Sequence, residues 1–220
     1  MVLERVLEAE VMDTPQEAMD YDSMDHSQAN QSFVDDLLTA VDKPGDTLDL
    51  GTGTAQIPVE LCQRRPDCRV MAADFSVPML EMARYNIEIA GLIERIQLAH
   101  LDAKALPCPD DYFDTVICNG TLHHFADPSV VLSEALRVTK PGGRLFFRDL
   151  LRPDSEEEIS TLVQSFAGQA SERQQQLFAD SLRAGLTLHE VQELVARLGF
   201  DAATVSRTSD RHWTWNAAST

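Results

Sequence analysis

The sequence predicts an α/β fold built on a doubly wound, mostly parallel sheet, and three observations carry that expectation. Between about residues 45 and 150, short apolar runs alternate with longer amphipathic stretches, the pattern of repeated βαβ units. The first run, Leu48-Asp49-Leu50, breaks directly into Gly51-Thr52-Gly53-Thr54-Ala55, a glycine-rich turn at a strand end. Near the C-terminus two β-rich runs flank Thr208-Ser209-Asp210, which reads as an antiparallel pair closing the sheet. At 220 residues and 44% hydrophobic, the chain suits one domain with a sizeable core. Its expected parts are a helical lid over 1–44, a core over 45–150 that carries the glycine-rich turn, and a helical insertion with the β pair over 151–220.

The punctuation supports each element in turn. Strands are expected at Thr47–Leu50, Arg69–Ala73, Arg95–Leu101, Asp114–Asn119 and Arg144–Leu150. Ser76 caps a helix with Pro78 in its first turn, Leu80, Ala83 and Ile87 at core spacing, and Gly91 as its stop. Asp127 and Pro128 open a helix carrying Val131, Ala135 and Val138, which ends before a Lys140-Pro141-Gly142-Gly143 turn. Glu156, Glu157 and Glu158 fall in the first turn of a further helix, where the helix dipole favours negative charge. A capping box from Thr187 to Glu190 starts another.

Composition narrows the function classes. A net charge of −18, from 36 acidic and 18 basic residues, repels nucleic-acid backbones and anionic membranes, so neither is an expected partner. Cys62, Cys68, Cys108 and Cys118 form no C-x-x-C pair and read as reduced thiols, which points to the cytoplasm. No apolar run approaches the roughly 18 residues of a membrane span, and the first residues lack a signal-peptide pattern.

The glycine-rich turn suits a ligand that touches main-chain N–H groups at a helix start. A dinucleotide fingerprint would need a third glycine where Gln56 stands. A phosphate loop would end in Gly-Lys-Ser/Thr, yet no lysine lies between Lys43 and Lys104. What remains is D-x-G-x-G-x-A, with Asp49 two residues before the first glycine, an acid suited to a cationic amine. Asp74 at the second strand end can accept from ribose hydroxyls, and Asp102 at the third can accept from an adenine amino group.

Four segments in this order, LDLGTGTA, VMAADFS with MLEMA, HLDAKALP, and FDTVICNGTLHHF with LSEALRVTKPGGRL, make the chain resemble a class I S-adenosylmethionine-dependent methyltransferase across about residues 45–150. The subgroup it is most similar to includes the ubiquinone and menaquinone C-methyltransferases. The resemblance implies a Rossmann-like, seven-stranded sheet, mostly parallel with an antiparallel C-terminal strand and helices on both faces. It also implies S-adenosylmethionine as cofactor, with S-adenosylhomocysteine as product, and a small-molecule acceptor. It assigns Asp49, Gly51, Thr52 and Gly53 to the methionine part, Asp74 to the ribose, Phe75 to the adenine face, and Asp102 with Ala103 to the adenine edge. Asn119 and Gly120 would line the methionine end, with Tyr21 approaching the cofactor from the N-terminal helices. The family's usual third glycine is Ala55 here.

Methyl transfer from a sulfonium needs an in-line nucleophile, and a base only where that nucleophile starts protonated. His124 and His26 are the candidate bases; Asp149 is a further catalytic candidate that with Asn119 could help hold a divalent ion, with an ion pair to Arg148 or Arg152 as its bland role. Adjacent histidines are expected to diverge, so His123-His124 without a second ligand pair predicts no metal. Residues 11–33 and about 154–184 are expected to roof the acceptor pocket, the former as a closing lid. A nucleotide-dependent oxidoreductase and a noncatalytic adenosyl-binding regulator are the alternatives.

Overall fold

The computed structural model describes residues 3–8, 14–24 and 26–219, so Met12 and the other early lid residues among 9–13 lie outside the described part. The elements run α1 (Pro15–Asp22), α2 (Ser27–Ala40), β1 (Asp46–Leu50), α3 (Gln56–Arg64), β2 (Arg69–Asp74), α4 (Val77–Ala90), β3 (Ile96–His100) and β4 (Phe113–Asn119). They continue with α5 (Pro128–Val138), β5 (Thr139–Leu150), α6 (Glu156–Ala167), α7 (Glu172–Ala184), α8 (Leu188–Arg197), β6 (Val205–Arg207) and β7 (His212–Ala218). The strands form one seven-stranded sheet, as the resemblance implies, and their order is β3-β2-β1-β4-β5-β7-β6. β1 pairs in parallel with both β2 and β4, and β2 with β3, whereas β6 and β7 are antiparallel. Chain order reverses between β1 and β4, the switch point at which open α/β sheets bind ligands beyond the strand ends. Register places Leu50 level with Ala73 on one side and Cys118 on the other, so Asp74 and Asn119 both flank the loop that follows β1.

The chain divides into two compact units. One comprises residues 11–119, 130–147 and 216–220. Its core joins Phe33, Val34 and Leu37 of α2, Leu61 and Cys62 of α3, and Ala83 and Ile87 of α4 to Val70 and Ala72 of β2, Ile96 of β3, Ile117 of β4 and Phe146 of β5. Phe33 meets Phe146 edge-on, with ring centroids 5.1 Å apart. Capping in α4 follows the expected pattern: the Ser76 hydroxyl accepts from the Met79 N–H, Pro78 sits in the first turn, and Gly91 closes the helix at φ 70°. β5 begins earlier than expected, because the Gly142 N–H donates to Ser219 O and the Ser219 N–H to Gly143 O, drawing the supposed turn into the sheet.

The helix after the glycine-rich turn starts differently. α3 has no side-chain cap, and the residue before it, Ala55, is fully buried in the left-handed region at φ 60°, ψ 25°. Left-handed backbone costs an alanine roughly 1–2 kcal/mol. The buried methyl returns about 0.8 kcal/mol, and restricting the unfolded chain a further ~0.4–1 kcal/mol. Ala55→Gly is therefore expected to change the unfolding free energy by less than about 1 kcal/mol, whereas the branched Ala55→Val loses more than about 2 kcal/mol. Urea unfolding of the two variants checks this, and a large loss in the glycine variant would mean that methyl packing outweighs backbone strain.

The other unit comprises residues 1–10, 120–129 and 148–215. α6 and α7 bury Ile159, Ala179 and Leu182 against Leu150, with Leu3 and Phe178 at the margin. Trp213 is fully buried and its indole N–H donates to Leu150 O at 3.1 Å. Arg5 fixes the N-terminal segment by donating to Ala184 O, His123 O and Phe125 O at 2.7–3.0 Å.

Candidate functional site

In the first unit a small pocket opens at the switch point, lined by Tyr21, Asn30, Asp49, Gly51, Thr52, Thr54, Gln56, Ile57 and Asn119. Asp49 is 3% exposed and accepts from the Thr52 hydroxyl at 2.6 Å. Burial pushes its carboxyl up to about 7; the Thr52 hydrogen bond opposes the rise and the Asp74 charge adds to it. A buried carboxyl held this high gains most from a cationic ligand, which returns the electrostatic partner that water no longer supplies.

Gly51 and Gly53 take left-handed φ values of 67° and 55°, which only glycine adopts without strain. The Gly53 N–H donates to Asp74 at 2.8 Å, and the other Asp74 oxygen accepts from the Ser76 N–H at 2.8 Å. Burial raises the Asp74 carboxyl, and these backbone donors oppose that rise. Asp74 thus shapes the loop by accepting from the Gly53, Ser76 and Phe75 N–H groups, and its remaining acceptor capacity is available to a ligand. The Tyr21 ring passes over Gly53, where a β-carbon would stand 3.6 Å from it. Burial and the carboxylates Asp74, Asp49 and Asp22 push the Tyr21 hydroxyl up to about 12, so it stays a neutral donor. His26 stacks on Tyr21 at 4.6 Å and lies 3.2 Å from its carbonyl.

A set of polar contacts absent from the sequence reading joins the lid helices to α3 and α4. Gln56 accepts from Asn30 at 3.0 Å and donates to Asp22 at 3.1 Å, while Asn86 donates to the same Asp22 oxygen and to Thr54 O. Gln56 enters the sequence reading only as a missing glycine. Beyond β2 and β3, Phe75 is 55% exposed beside the His100 ring. Asp102 accepts from the Lys104 N–H in the turn that contains Ala103.

In the second unit Gly120 adopts φ 67° and donates to Arg148 O. The Leu122–His124 3-10 turn then places His123 in a buried cluster. Its Nδ1 lies 2.6 Å from Asp149 Oδ1 and its Nε2 3.0 Å from Glu8 Oε1. Burial alone would lower its pKa, but the flanking Asp149 and Glu8 carboxylates override that and raise it to about 9. Two sequence expectations are corrected here. Asp149 pairs with His123 instead of Arg148 or Arg152, which turn to Thr214 and to Glu190 with Gly185 O. The adjacent rings converge, with centroids 4.2 Å apart and His124 Nδ1 3.3 Å from Glu8 Oε1. Glu8 carries no sequence signal, since residues 3–8 form no helix or strand.

Comparison with known proteins agrees with this architecture. Residues 48–147 match the family described as methyltransferase domain. The chain is 43% identical over 102 residues to a demethylmenaquinone methyltransferase of Thermus thermophilus, covering 46% of this chain and 46% of that protein. It is 32% identical over 116 residues to the ubiquinone/menaquinone biosynthesis C-methyltransferase UbiE of Francisella philomiragia, covering 52% and 46%. The matched part thus spans less than half the length of these curated relatives. A crystal structure of a SAM-dependent methyltransferase from Aquifex aeolicus superposes with a TM-score of 0.67 over 94% of this chain and 99% of that one, at 18% identity, a likeness of fold. Residues 48–147 are thus similar to a methyltransferase domain, and the relatives they resemble include demethylmenaquinone and ubiquinone/menaquinone C-methyltransferases.

Proposed function

We propose that the chain binds S-adenosylmethionine in the Asp49 pocket and transfers its methyl group to a small-molecule acceptor. The observation that carries this reading is the buried, proton-retaining Asp49 at the base of a glycine-rich turn, a carboxyl poised for an ammonium group. Gly51, Thr52, Gly53 and Asn119 would enclose the methionine part beneath Tyr21. Asp74 would hold the ribose, with Phe75, Asp102 and Ala103 at the adenine. The acceptor we propose is a quinone-type ring, the class named for the relatives, in its electron-rich hydroquinone form.

The methyl carbon would pass in line from sulfur to the acceptor, forming the new bond as the carbon–sulfur bond breaks and leaving S-adenosylhomocysteine. Alignment supplies most of the catalysis, because the sulfonium is already an activated leaving group. A hydroquinone that arrives as its anion needs no base for the attack, and the proton on the newly methylated ring carbon then leaves to solvent as the neighbouring ring oxygen is reprotonated. Asp149 and His26 would then serve as positioning residues, the first engaged by His123 and the second stacked on Tyr21. We place the protein in the cytoplasm, in keeping with its four free cysteines; no helix among the described residues is long and apolar enough to cross a membrane.

Calorimetry with S-adenosylhomocysteine against NADH, followed by transfer of labelled methyl from S-adenosylmethionine to a demethylated naphthohydroquinone, tests the reading. Preference for NADH would overturn it, and tight binding without transfer to any of a broad acceptor panel would reduce it to adenosyl binding. Asp74→Ala is expected to weaken S-adenosylhomocysteine at least about tenfold, since a charge-assisted ribose contact contributes roughly 1.5–3 kcal/mol. Unchanged calorimetric affinity would remove Asp74 from the ribose.

A further inference from the structure

We infer that Glu8, His123 and His124 form a binding site for one divalent transition-metal ion, of the zinc or cobalt type, that fastens residues 3–8 to the Leu122–His124 turn. The three donor atoms all lie within 4.8 Å of one another. His123 Nε2 and His124 Nδ1 stand 3.0 and 3.3 Å from the same Glu8 oxygen. A tetrahedral ion about 2.0–2.1 Å from each ligand spaces those ligands about 3.3 Å apart, so the donors are already near coordinating separation. The side chains are 5%, 15% and 13% exposed for His123, His124 and Glu8, so the three donors are largely shielded from water and would have to replace the hydration of any ion they hold.

Two further features point to a ligand at this spot. Glu8 Oε1 is buried without a hydrogen-bond partner of good geometry, although both imidazoles lie near it. The Asp149 carboxylate holds His123 Nδ1 at 2.6 Å and is itself fixed by the Leu150 and His123 N–H groups. A carboxylate behind one ring nitrogen sets the tautomer that leaves the other nitrogen free to ligate, the usual support of a zinc histidine. Glu8 Oε2 accepts from the Ser181 hydroxyl, and Arg5 anchors the same segment, so the carboxylate is held from both sides. The ion takes the place of the His123 Nε2 proton, which is released to solvent. Two imidazoles and one carboxylate suit zinc, cobalt or iron(II) and disfavour magnesium and calcium, which require oxygen cages. The sequence expectation of no metal lacked the third donor, which comes from a segment 115 positions before His123.

The test is a cobalt(II) titration of the whole chain after treatment with a chelator, read by visible absorption and by thermal unfolding, with zinc then displacing the cobalt. One equivalent is expected to bind with the intense bands of a four- or five-coordinate site and to raise the unfolding temperature. Glu8→Gln, which keeps the side-chain shape, and His124→Ala should each weaken binding at least tenfold, by analogy with supporting residues that cost that much. His189→Ala, at an exposed histidine on α8, should leave it unchanged. Glu8→Gln retaining the far-ultraviolet spectrum of the parent separates loss of a ligand from loss of fold. Binding that is weak and non-stoichiometric, or that neither variant alters, would overturn the site and leave an ion-pair cluster. The readout is independent of methyl transfer, so it stands or falls separately from the proposed activity.

Discussion

At pH 8, Asp49→Asn is expected to bind S-adenosylhomocysteine about a hundredfold or more weakly, because removing one partner of a buried charge pair costs about 3–5 kcal/mol. The same variant should be more stable than the parent when no ligand is present. The folded protein holds the Asp49 proton up to about pH 7, against an ordinary value of 3.8, so between those values the folded state binds more protons than the unfolded chain. Stability contributed by this group is therefore lost as pH rises from about 4 to about 7, and the penalty is complete above 7. A neutral asparagine, which can still accept from Thr52, removes that penalty. Its advantage should be largest at pH 8 and vanish near pH 4. In the parent, ligand affinity should fall as pH drops below about 7, where the ammonium must displace a proton, and the variant should show no such slope. Calorimetry and urea unfolding across pH 5–8 check both halves. A parent affinity flat across this range would show that no cation meets Asp49.

The parts of the fold and site that were legible in the sequence are those governed by local rules. Ser76, Pro78 and Gly91 specify α4 through capping and backbone preference alone, and the parallel strands announce themselves as short apolar runs between such helices. The Gly51 and Gly53 turn is legible for the same reason, since a left-handed backbone demands glycine. What escaped depends on long-range partners. Asp149 next to Arg148 and Arg152 invites a local ion pair, but the 3-10 turn 26 positions earlier supplies His123 instead. Glu8 and Arg5 sit in a segment without periodicity, and only the tertiary fold gives them His123, His124 and Ala184 as neighbours. The Lys140-Pro141-Gly142-Gly143 segment reads as a turn in the sequence but is strand in the fold, because its partner, Ser219, lies near the C-terminal end of the chain.

Gln56 has the largest unread consequence, and Gln56→Ala is expected to loosen α1 from the loop it covers. The amide ties Asn30 of α2 and Asp22 of α1 to the start of α3, and Asp22 is also held by Asn86. A neutral hydrogen bond contributes about 0.5–1.5 kcal/mol and one to a carboxylate about 1.5–3 kcal/mol, so removing both should favour local opening by about 2–4 kcal/mol. Amide exchange across Pro15–Asp22 should then accelerate roughly thirtyfold or more, while β1 and β4 keep the parent rate. In the parent, S-adenosylhomocysteine should slow exchange over residues 14–24 and 26–33 more than in the sheet, because Tyr21 would gain a ligand beneath it in place of open pocket. The two effects belong to one equilibrium. A ligand that binds only the closed form draws the lid shut by its preference for that form, and breaking the latch subtracts from its affinity by the same free energy. If residues 14–24 exchange equally with and without ligand, and Gln56→Ala changes neither exchange nor affinity, α1 is a fixed wall and the pocket does not open through it.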